Sequence, residues 1–513
     1  MGTAAEAPRG RSGEPGIARC PRLMLCGLRG SSGKTLVALG LIGAWAARGI
    51  RVAPFKKGPD YIDPAWHSRA GSLPCRNLDT FLMGDAEILR AVARHGAAAD
   101  LCLIEGNHGL FDGVGAEATA SSAELARLVR APVVLVVDCT KTTRTVAAMV
   151  LGCQHFDPEL NLAGVLLNRV ATPRQQRSIR VAVEETCGVP VLGSIPRLTD
   201  LAFPERHLGL LTPAEHPAAV EPIRIARETV EAHVDLDALR ALAASAPPLA
   251  WTEAPQAPEG QGAHPPVRIG VVRDSAFTFY YPENLEALER LGATVVEVNA
   301  LTDAALPDLD ALYIGGGYPE THAAALAANV GFRTDLKRQI DAGLPVIAEC
   351  GGLIYLSEAM VMAGISHPMV GVFPVTFELG TRPLGHGYAV AEVTEPNPFF
   401  APGVILRGHE FRYSYAREAG GQALRLAFRM QRGTGFDSKR DGLVYKNALA
   451  SFVHFHAAGT PQWAESLVAQ ARRHAARRRG VHAMAAAPAG GQTELVPGLL
   501  DGSSPRRAIH GMQ

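Results

Sequence analysis

The stretch Pro345-Val-Ile-Ala-Glu-Cys350-Gly-Gly-Leu353 is a short apolar segment that runs directly into two glycines. This pattern predicts a β-strand that turns tightly into a helix, with the cysteine as a nucleophile at the tip of the turn. Glycine at position 351 avoids a Cβ clash in such a turn, and its backbone N–H is free to face an oxyanion. The sequence therefore predicts nucleophilic catalysis in this part of the chain.

A histidine further along the chain is a candidate partner for the thiol. The segment Ser451-Phe-Val-His454-Phe-His456 is again an apolar strand pattern, and it ends in imidazole groups. A histidine at the end of such a strand can take the proton of a cysteine in the same sheet. We therefore expect His454 to be the base for Cys350.

A glycine-rich loop near the amino terminus predicts phosphate binding. Gly27-Leu-Arg-Gly-Ser-Ser-Gly33-Lys34-Thr35 lies between a predicted strand and a predicted helix. The usual phosphate loop has glycine where Leu28 stands, so this loop is a variant that is one residue longer. In such a loop the lysine reaches the β- and γ-phosphates and the threonine binds Mg²⁺. The predicted nucleotide ligands here are Gly27, Gly30, Ser31, Ser32, Gly33, Lys34 and Thr35; a turn unrelated to phosphate is the alternative.

Two further loops carry charged side chains after predicted strands. They are Pro54-Phe-Lys-Lys-Gly-Pro-Asp-Tyr-Ile-Asp-Pro64 and Ile104-Glu-Gly-Asn-His-Gly-Leu-Phe-Asp-Gly113. Loops at the carboxyl edge of a parallel sheet are where α/β proteins bind ligands, and carboxylates beside a triphosphate are suitable Mg²⁺ ligands. Solvated turns are the alternative for each loop.

Length and composition limit the class of protein. The 513 residues are 47% hydrophobic and 19% charged, which predicts an ordinary globular protein with more than one core. Lys+Arg and Asp+Glu are equal at 50 each, so no general attraction to nucleic acid or to an anionic membrane is expected. The scattered cysteines and the absence of a long apolar run predict buried thiols and a cytoplasmic location.

The order of the patterns predicts two doubly wound α/β domains with parallel sheets. Residues 1–20 are expected to be a disordered leader, 21–245 the nucleotide-binding domain, 246–266 a Pro-rich linker, 267–479 the domain with the cysteine, and 480–513 a disordered tail.

Several of these motifs resemble those of the cobyrinate a,c-diamide synthases, and the resemblance runs from about Leu23 to Gln470. The similar segments are the two charged loops, Asn77-Leu-Asp79, Gly315-Gly-Gly-Tyr-Pro-Glu320, Ala348-Glu-Cys-Gly-Gly352 and Gly408-His-Glu-Phe-Arg-Tyr-Ser414. The resemblance implies an N-terminal P-loop NTPase-like synthetase domain, similar to dethiobiotin synthetase, whose phosphate loop has the same longer spacing. It also implies a C-terminal, flavodoxin-like class I glutamine amidotransferase domain.

The chemistry implied is amidation of the a and c acetate carboxylates of a tetrapyrrole, with ATP and glutamine as co-substrates and Mg²⁺ as cofactor. Cys350 and His454 would release ammonia from glutamine, while Gly351 and a glycine of the loop Gly315–Gly317, with Gly316 as the candidate, would bind the oxyanion. In the other domain ATP would convert the carboxylate into an acyl phosphate. The implied roles are nucleotide binding for Lys56 together with the phosphate loop, metal binding for Thr35, Asp60 and Glu105, and substrate activation for Asp63 and Asp112.

Two features depart from the family pattern. Amidotransferases of this class often have His-x-Glu, but the residue two positions after His454 is His456, so we expect a Cys-His dyad that is oriented by backbone or by another acid. Asn107-His108 together with Lys57 is more typical of the sub-branch that amidates sirohydrochlorin or sirohaem.

Two other classes of function are compatible with the motifs. One is a P-loop regulatory ATPase fused to an inactive amidotransferase-like domain, although an intact Cys350 and His454 argue against it. The other is a cysteine hydrolase with a nucleotide-sensing domain. For the main interpretation the expected partner is the tetrapyrrole carboxylate, without nucleic acid or membrane, and a homodimer is possible.

Overall fold

The structure is a computed structural model, and it describes residues 15–198, 205–206, 209–210, 213, 220–253, 265–417 and 423–485. The predicted disorder of residues 1–14 and 486–513, and the central part of the predicted linker, lie outside the described residues. No helix in the described part of the chain is both long enough and apolar enough to span a membrane.

The amino-terminal half alternates strands and helices. In chain order the elements are β1 (Pro15–Ala18), β2 (Arg22–Gly27), α1 (Lys34–Ala47), β3 (Val52–Lys57), α2 (Ile62–Ala70), β4 (Arg76–Leu78), α3 (Asp85–Ala97), β5 (Leu101–Glu105), α4 (Ser122–Leu128), β6 (Val133–Asp138), α5 (Thr145–Phe156), β7 (Leu162–Val170), α6 (Pro173–Cys187), β8 (Val191–Pro196), β9 (Glu205–Arg206), β10 (Gly209–Leu210), α7 (Val220–His233), α8 (Leu236–Ala244) and β11 (Leu249–Thr252).

Seven of these strands form a parallel sheet in the order β4-β3-β5-β2-β6-β7-β8. Alternate side chains of β2 enter different cores: Leu23 and Leu25 pack with α1, α7 and α8, while Met24 and Cys26 pack with α3 to α6. Both faces of the sheet are thus covered, which explains why its central strands are continuously apolar. The predicted doubly wound fold of this half is confirmed.

The carboxyl-terminal half begins with a second such series and continues into strand-rich structure. Its elements are β12 (Val267–Val272), α9 (Pro282–Arg290), β13 (Ala293–Val298), β14 (Ala311–Ile314), a 3₁₀ turn (Pro319–His322), α10 (Ala323–Ala328), α11 (Val330–Asp341), β15 (Val346–Glu349), α12 (Gly351–Leu356), β16 (Ser357–Met362), β17 (Ile365–Pro368), β18 (Phe373–Leu379), β19 (Gly385–Val393), β20 (Ile405–Arg412), β21 (Ser414–Ala416), β22 (Leu426–Arg432), β23 (Arg440–Tyr445), β24 (Ala448–Ser451), β25 (His454–Phe455) and α13 (Pro461–Ala485).

The parallel strands of this half lie in the order β13-β12-β14-β15-β24, which is 2-1-3-4-5 when they are numbered along the chain. This is the flavodoxin-like order, and it confirms the predicted fold. Antiparallel strands β23, β22, β19, β20 and β25 extend the same sheet, and β17-β16-β18-β21 form a smaller one. Because β14 and β15 are neighbours, the glycine loop after β14 and the cysteine after β15 lie side by side.

Parts of the predicted leader and linker are ordered. Strand β1 pairs with β11 in an antiparallel ribbon from Pro15–Thr252 to Ala18–Leu249, and Arg22 donates to the Pro247 carbonyl oxygen at 2.6 Å. Leu249 is buried in the hydrophobic core that also contains Met24 and Cys26. The Pro- and Gly-rich composition of the two segments did not predict this pairing, because β1 and β11 are far apart in sequence and become neighbours only in the folded protein. Helix α13 also continues to Ala485, past the predicted boundary at 479.

The two halves meet through side chains near β4 and β19. Tyr388 donates its hydroxyl proton to Asp79 Oδ2 at 2.5 Å, and its ring stacks on Phe81 at 4.4 Å between centroids. At a second contact Gly459 lies so close to the backbone of Leu82 that a Cβ at position 459 would be 1.5 Å from the Leu82 carbonyl oxygen. Side-chain movement cannot relieve a clash with backbone, so glycine is required here.

Substitution of Gly459 by alanine is therefore expected to separate the halves locally. We predict that Gly459→Ala lowers the unfolding free energy by about 1–3 kcal/mol, as overpacking does. As a control, Gly152→Ala lies on the exposed side of α5 with open space around the added Cβ, and it is expected to stabilise the protein by up to about 1 kcal/mol. Thermal unfolding measures both effects, and equal melting temperatures for the two variants would contradict the prediction.

Candidate active site

Cys350 lies at a strained turn between β15 and α12. Its φ of 49° and ψ of −100° are unusual for a residue other than glycine, and helix α12 starts at the next residue. The turn is held by the backbone N–H of Cys350, which donates to the Ser451 carbonyl oxygen at 2.7 Å, and by Ile354 N–H, which donates to the Cys350 carbonyl oxygen at 3.1 Å. Strain of this kind persists where the surrounding structure enforces it, as at a nucleophile.

His454 lies beside this cysteine, as the sequence predicted. The imidazole is 2% exposed, and its Nδ1 is 3.7 Å from Glu349 Oε2. Burial lowers the pKa of His454, but interactions with the Cys350 sulfur and with the Glu349 carboxylate outweigh burial and raise this pKa to about 9. The ring of His409 stacks against that of His454 at 4.8 Å. The arrangement favours a protonated imidazole next to the thiol, which is the form that promotes thiolate chemistry.

The glycine loop after β14 approaches the same point. A Cβ at Gly316 would be 2.4 Å from His454 Cε1, so this residue is packed against the imidazole. A Cβ at Gly351 would be 3.1 Å from the nitrogen of Gly317, and both of these residues line the cavity at Cys350. The predicted Gly316 thus packs against the histidine, whereas Gly317 is the member of its loop that faces Gly351.

A cavity of about 540 Å³ extends from Cys350 into the amino-terminal half. Both halves contribute to its wall, which includes Lys57, Asp60, Tyr61, Asn107, His108, Asp112, Glu320, Cys350, Gly351, Tyr388, Phe411, Arg412 and His454. The nucleophile and the two charged loops that follow β3 and β5 therefore face one continuous space.

Tyr61 of the first charged loop contacts aromatic side chains of the other half. Its ring is stacked on Phe279, with 5.0 Å between centroids, and it lies 4.7 Å from the Tyr281 ring and 5.4 Å from the His454 ring. The amino-terminal half thus contributes one wall of the cysteine site.

The phosphate loop has the predicted strand-loop-helix context, and α1 starts at Lys34. Ser31 and Gly33 have positive φ values of 58° and 91°. Lys34 donates from Nζ to the carbonyl oxygen of His108 at 2.7 Å, which holds the ammonium over the loop. Asn168 at the end of β7 donates to the Ser32 carbonyl oxygen at 2.9 Å. Sequence analysis did not identify Asn168, because no pattern in its strand indicates contact with a loop that is more than 130 residues earlier in the chain.

Next to the loop, buried charged groups form a cluster around Glu105. Its carboxylate accepts from Thr35 Oγ1 at 2.8 Å and from Lys56 Nζ at 2.9 Å, and it contacts His67 Nε2 at 2.5 Å. Lys56 also contacts Asp63 at 2.6 Å. Burial raises the pKa of Glu105, but the nearby Lys56 and His67 outweigh burial and hold it below its ordinary value.

The cluster shows the contacts of one predicted residue and adds another residue; nucleotide binding by Lys56 stays a prediction. Lys56 was predicted to bind nucleotide, but it is 3% exposed and pairs with the two carboxylates. His67 was missed, although its position one helical turn after Asp63 on α2 was a usable signal.

The predicted metal ligands are only partly brought together. Thr35 and Glu105 are in direct contact, whereas Asp60 accepts backbone N–H groups of Ile62 and Asp63 at 2.9 and 3.0 Å. Among the described residues no group of three or more His, Cys, Asp or Glu side chains has the arrangement of a complete metal site. The hydroxyl and carboxylate oxygens nevertheless fit Mg²⁺, which usually keeps several waters and uses one or two carboxylates together with phosphates.

Asp63, which was predicted together with Asp112 to activate the substrate, contacts Lys56 within the Glu105 cluster, whereas Asp60 and Asp112 line the cavity. Burial and the neighbouring Asp63 raise the pKa of Asp60 to about 7. Asp112 accepts the backbone N–H of Gly109 at 2.8 Å and so shapes its own loop. Both are therefore close to the space that would hold a substrate.

The fold and the site together define a class of protein, namely a nucleotide-binding domain joined to a glutamine amidotransferase domain. Residues 23–211 match the profile of the CobQ/CobB/MinD/ParA nucleotide binding domain, and residues 268–462 match that of the CobB/CobQ-like glutamine amidotransferase domain.

Three curated proteins that are similar to almost the whole chain have the same name. A cobyrinate a,c-diamide synthase of Magnetococcus marinus is 43% identical over 88% of this chain and 97% of its own length. Those of Archaeoglobus fulgidus and Salmonella typhimurium are 40% and 38% identical, covering 85% and 89% of this chain and 94% and 99% of their own lengths. The chain belongs to the cobyrinate a,c-diamide synthase family, which confirms the resemblance found in its motifs.

From the Glu105 cluster we predict how removal of the Lys56 charge changes thermal stability and the effect of Mg²⁺ on it. Lys56→Met would leave Asp63 and Glu105 without their shared cation, and breaking a buried pair costs about 3–5 kcal/mol. We expect a lower melting temperature for this variant. We also expect Mg²⁺ to raise its melting temperature more than that of the unmodified protein, because the cation replaces the lost charge.

The matched control is Lys337→Met. Lys337 forms an ion pair with Asp341, and the Asp341 side chain is 37% exposed. An exposed pair of this kind contributes at most about 1 kcal/mol. A Mg²⁺-induced shift that is no larger in Lys56→Met than in the unmodified protein would show that these carboxylates do not bind the cation.

Proposed function

We propose that the protein is an ATP- and glutamine-dependent ligase that amidates the a and c acetate carboxylates of cobyrinate, a step of cobalamin biosynthesis. The observation that supports this most directly is the shared cavity, whose wall includes Cys350 and His454 on one side and Lys57, His108 and Asp112 on the other. A nitrogen donor site and a carboxylate-activating site that face one space are what glutamine-dependent amidation requires.

In the first half-reaction the Cys350 thiolate attacks the side-chain amide carbon of glutamine. The N–H groups of Gly351 and Gly317 stabilise the oxyanion that forms, each by about 3 kcal/mol. His454 gives its proton to the leaving nitrogen, so that the C–N bond breaks and ammonia departs. Water then hydrolyses the glutamyl thioester, which releases glutamate and restores the thiol.

In the second half-reaction an acetate oxygen of the substrate attacks the γ-phosphorus of ATP, which yields an acyl phosphate and ADP. Lys34 neutralises negative charge on the transferred phosphoryl group. Thr35 and Glu105 would hold Mg²⁺, which supplies further charge neutralisation on the phosphates when bound. Ammonia then attacks the acyl carbon and displaces phosphate, and Asp60 is placed to accept the proton that the nitrogen loses.

Cobyrinate is the substrate that the names of the relatives favour. The residues Lys57, Asn107 and His108 favour sirohydrochlorin as the alternative, and they line the cavity in which a macrocycle carboxylate would lie. The two macrocycles share acetate side chains, so the chemistry is the same for either.

The direct test incubates the purified protein with ATP, Mg²⁺, glutamine and either cobyrinate or sirohydrochlorin. We predict that mass spectrometry detects two acid-to-amide conversions on cobyrinate, together with ADP and glutamate. Cys350→Ala is expected to reduce glutamine-driven synthesis by at least about 10³-fold, because it removes the nucleophile. The same variant should retain synthesis from a high concentration of ammonium salt.

Three outcomes would contradict this function. ATP hydrolysis without any amide product would favour a regulatory ATPase. Loss of the ammonium-driven reaction in a folded Cys350→Ala variant would show that the cysteine does not act at a separate site. Amidation of sirohydrochlorin alone would place the protein in the other sub-branch.

A further inference from the structure

The buried face of the His454 imidazole lacks an obvious partner. In the part of the chain that the structure describes, His454 Nδ1 makes no hydrogen bond. The residue two positions later is His456, where a third catalytic acid often lies in this class. The nearest carboxylate oxygen to Nδ1 is Glu349 Oε2 at 3.7 Å, and it belongs to the residue immediately before the nucleophile.

Glu349 is held rigidly as a buried carboxylate. It is 1% exposed, and three donors fix its two oxygens. Tyr313 donates its hydroxyl to Oε2 at 2.9 Å, while Trp463 Nε1 and the Phe455 backbone N–H donate to Oε1 at 3.1 and 3.4 Å. These three donors fix the position of the carboxylate beside the imidazole. The only charged neighbour shown for this carboxylate among the described residues is His454.

The acid near His456 has a different environment. Glu283 Oε2 is 3.7 Å from His456 Nε2, but the other oxygen of Glu283 is 3.5 Å from Arg76 of the amino-terminal half. His456 Nδ1 accepts the backbone N–H of Ala458 at 3.2 Å. The His456–Glu283 pair therefore belongs to the contact between the halves.

We propose that Glu349 is the positioning residue for His454 and replaces the acid missing at position 456. One strand end then provides both the nucleophile and the carboxylate that orients its base. The inference rests on the proposed function, because it concerns glutamine hydrolysis at Cys350. The separation of 3.7 Å is longer than a hydrogen bond, and such contacts tighten when substrate binds.

The chemical consequence concerns the tautomer of His454. A carboxylate beside Nδ1 favours a proton on that nitrogen, which leaves Nε2 to exchange a proton with Cys350 and with the departing nitrogen. A glutamine side chain at position 349 would instead present an N–H group to Nδ1. It would stabilise the tautomer whose Nε2 already carries a proton and cannot accept one from the thiol.

The pH dependence follows from the groups around this imidazole. Burial lowers the pKa of His454, the Cys350 sulfur and the Glu349 carboxylate raise it, and the rings of His409 and Tyr61 lie 4.8 and 5.4 Å away. Removal of the Glu349 charge leaves burial less opposed. The alkaline limb of glutaminase activity, where His454 loses its proton, should therefore move to lower pH.

The experiment compares Glu349→Gln, Glu349→Asp and the control Glu283→Gln, which removes another buried carboxylate 3.7 Å from a histidine. For Glu349→Gln we expect the kcat of glutamate release to fall roughly 10²-fold, at the lower end of what general acid–base catalysis contributes. The KM for glutamine should stay within about threefold, since Glu349 does not line the cavity. Glu349→Asp should fall between this variant and the unmodified enzyme, both in kcat and in the alkaline limb.

Ammonium-dependent synthesis shows whether each variant is folded. If Glu349→Gln does not fold, Glu349→Asp tests whether Glu349 positions His454. The inference is overturned if a folded Glu349 variant keeps the kcat and the alkaline limb of the unmodified enzyme. It is also overturned if Glu283→Gln causes the same losses. If the unmodified enzyme releases no glutamate from glutamine, the proposed function fails, which is a different result from either of these.

Discussion

Ammonia is a nucleophile only while it is unprotonated, and in water near neutral pH most of it becomes ammonium. For glutamine-dependent amidation this constrains how two sites can be arranged. The carboxyl edges of two parallel sheets face one cavity here, and Tyr61 of one half lies against His454 of the other. Close contacts such as that between Gly459 and the Leu82 backbone keep these edges together.

Buried charged groups occur both around Glu105 and at Glu349, and they are stabilised differently in the two places. Around Glu105 the carboxylates are balanced by Lys56 and His67, which keeps a potential cation site charged but stable before nucleotide binds. At Glu349 the balance comes from neutral donors, and His454 is the charged neighbour. The first arrangement is suited to exchanging one cation for another, and the second to holding one imidazole in place.

Much of this organisation was predictable from local sequence. Continuous apolar strands ending in glycine or charged loops gave both sheets, Cys350, His454 and the phosphate loop, because each signal is contained within about ten residues of the chain. Contacts between distant segments were not predictable. Asn168, which supports the phosphate loop, and β1, which pairs with β11, have meaning only once the fold brings them to their partners.

Lys56 illustrates a further limit of local sequence. The family resemblance implied nucleotide binding for Lys56, and only the three-dimensional contacts reveal its pairing with Asp63 and Glu105. Glu349 is adjacent in sequence to the cysteine, yet its role depends on Nδ1 of a residue in a different strand. The predicted domain boundaries, the homodimer and the cytoplasmic location stay predictions.

Direct transfer of ammonia through the shared cavity is the central claim, and an isotope competition tests it. The enzyme is supplied with ATP, Mg²⁺, cobyrinate and glutamine labelled with ¹⁵N in its side-chain amide, in the presence of excess unlabelled ammonium. The account predicts that the amide groups of the product carry far more ¹⁵N than complete mixing with the ammonium in solution would leave. Dilution of the label in proportion to the ammonium in solution would show that the nitrogen passes through bulk water, and would contradict the account.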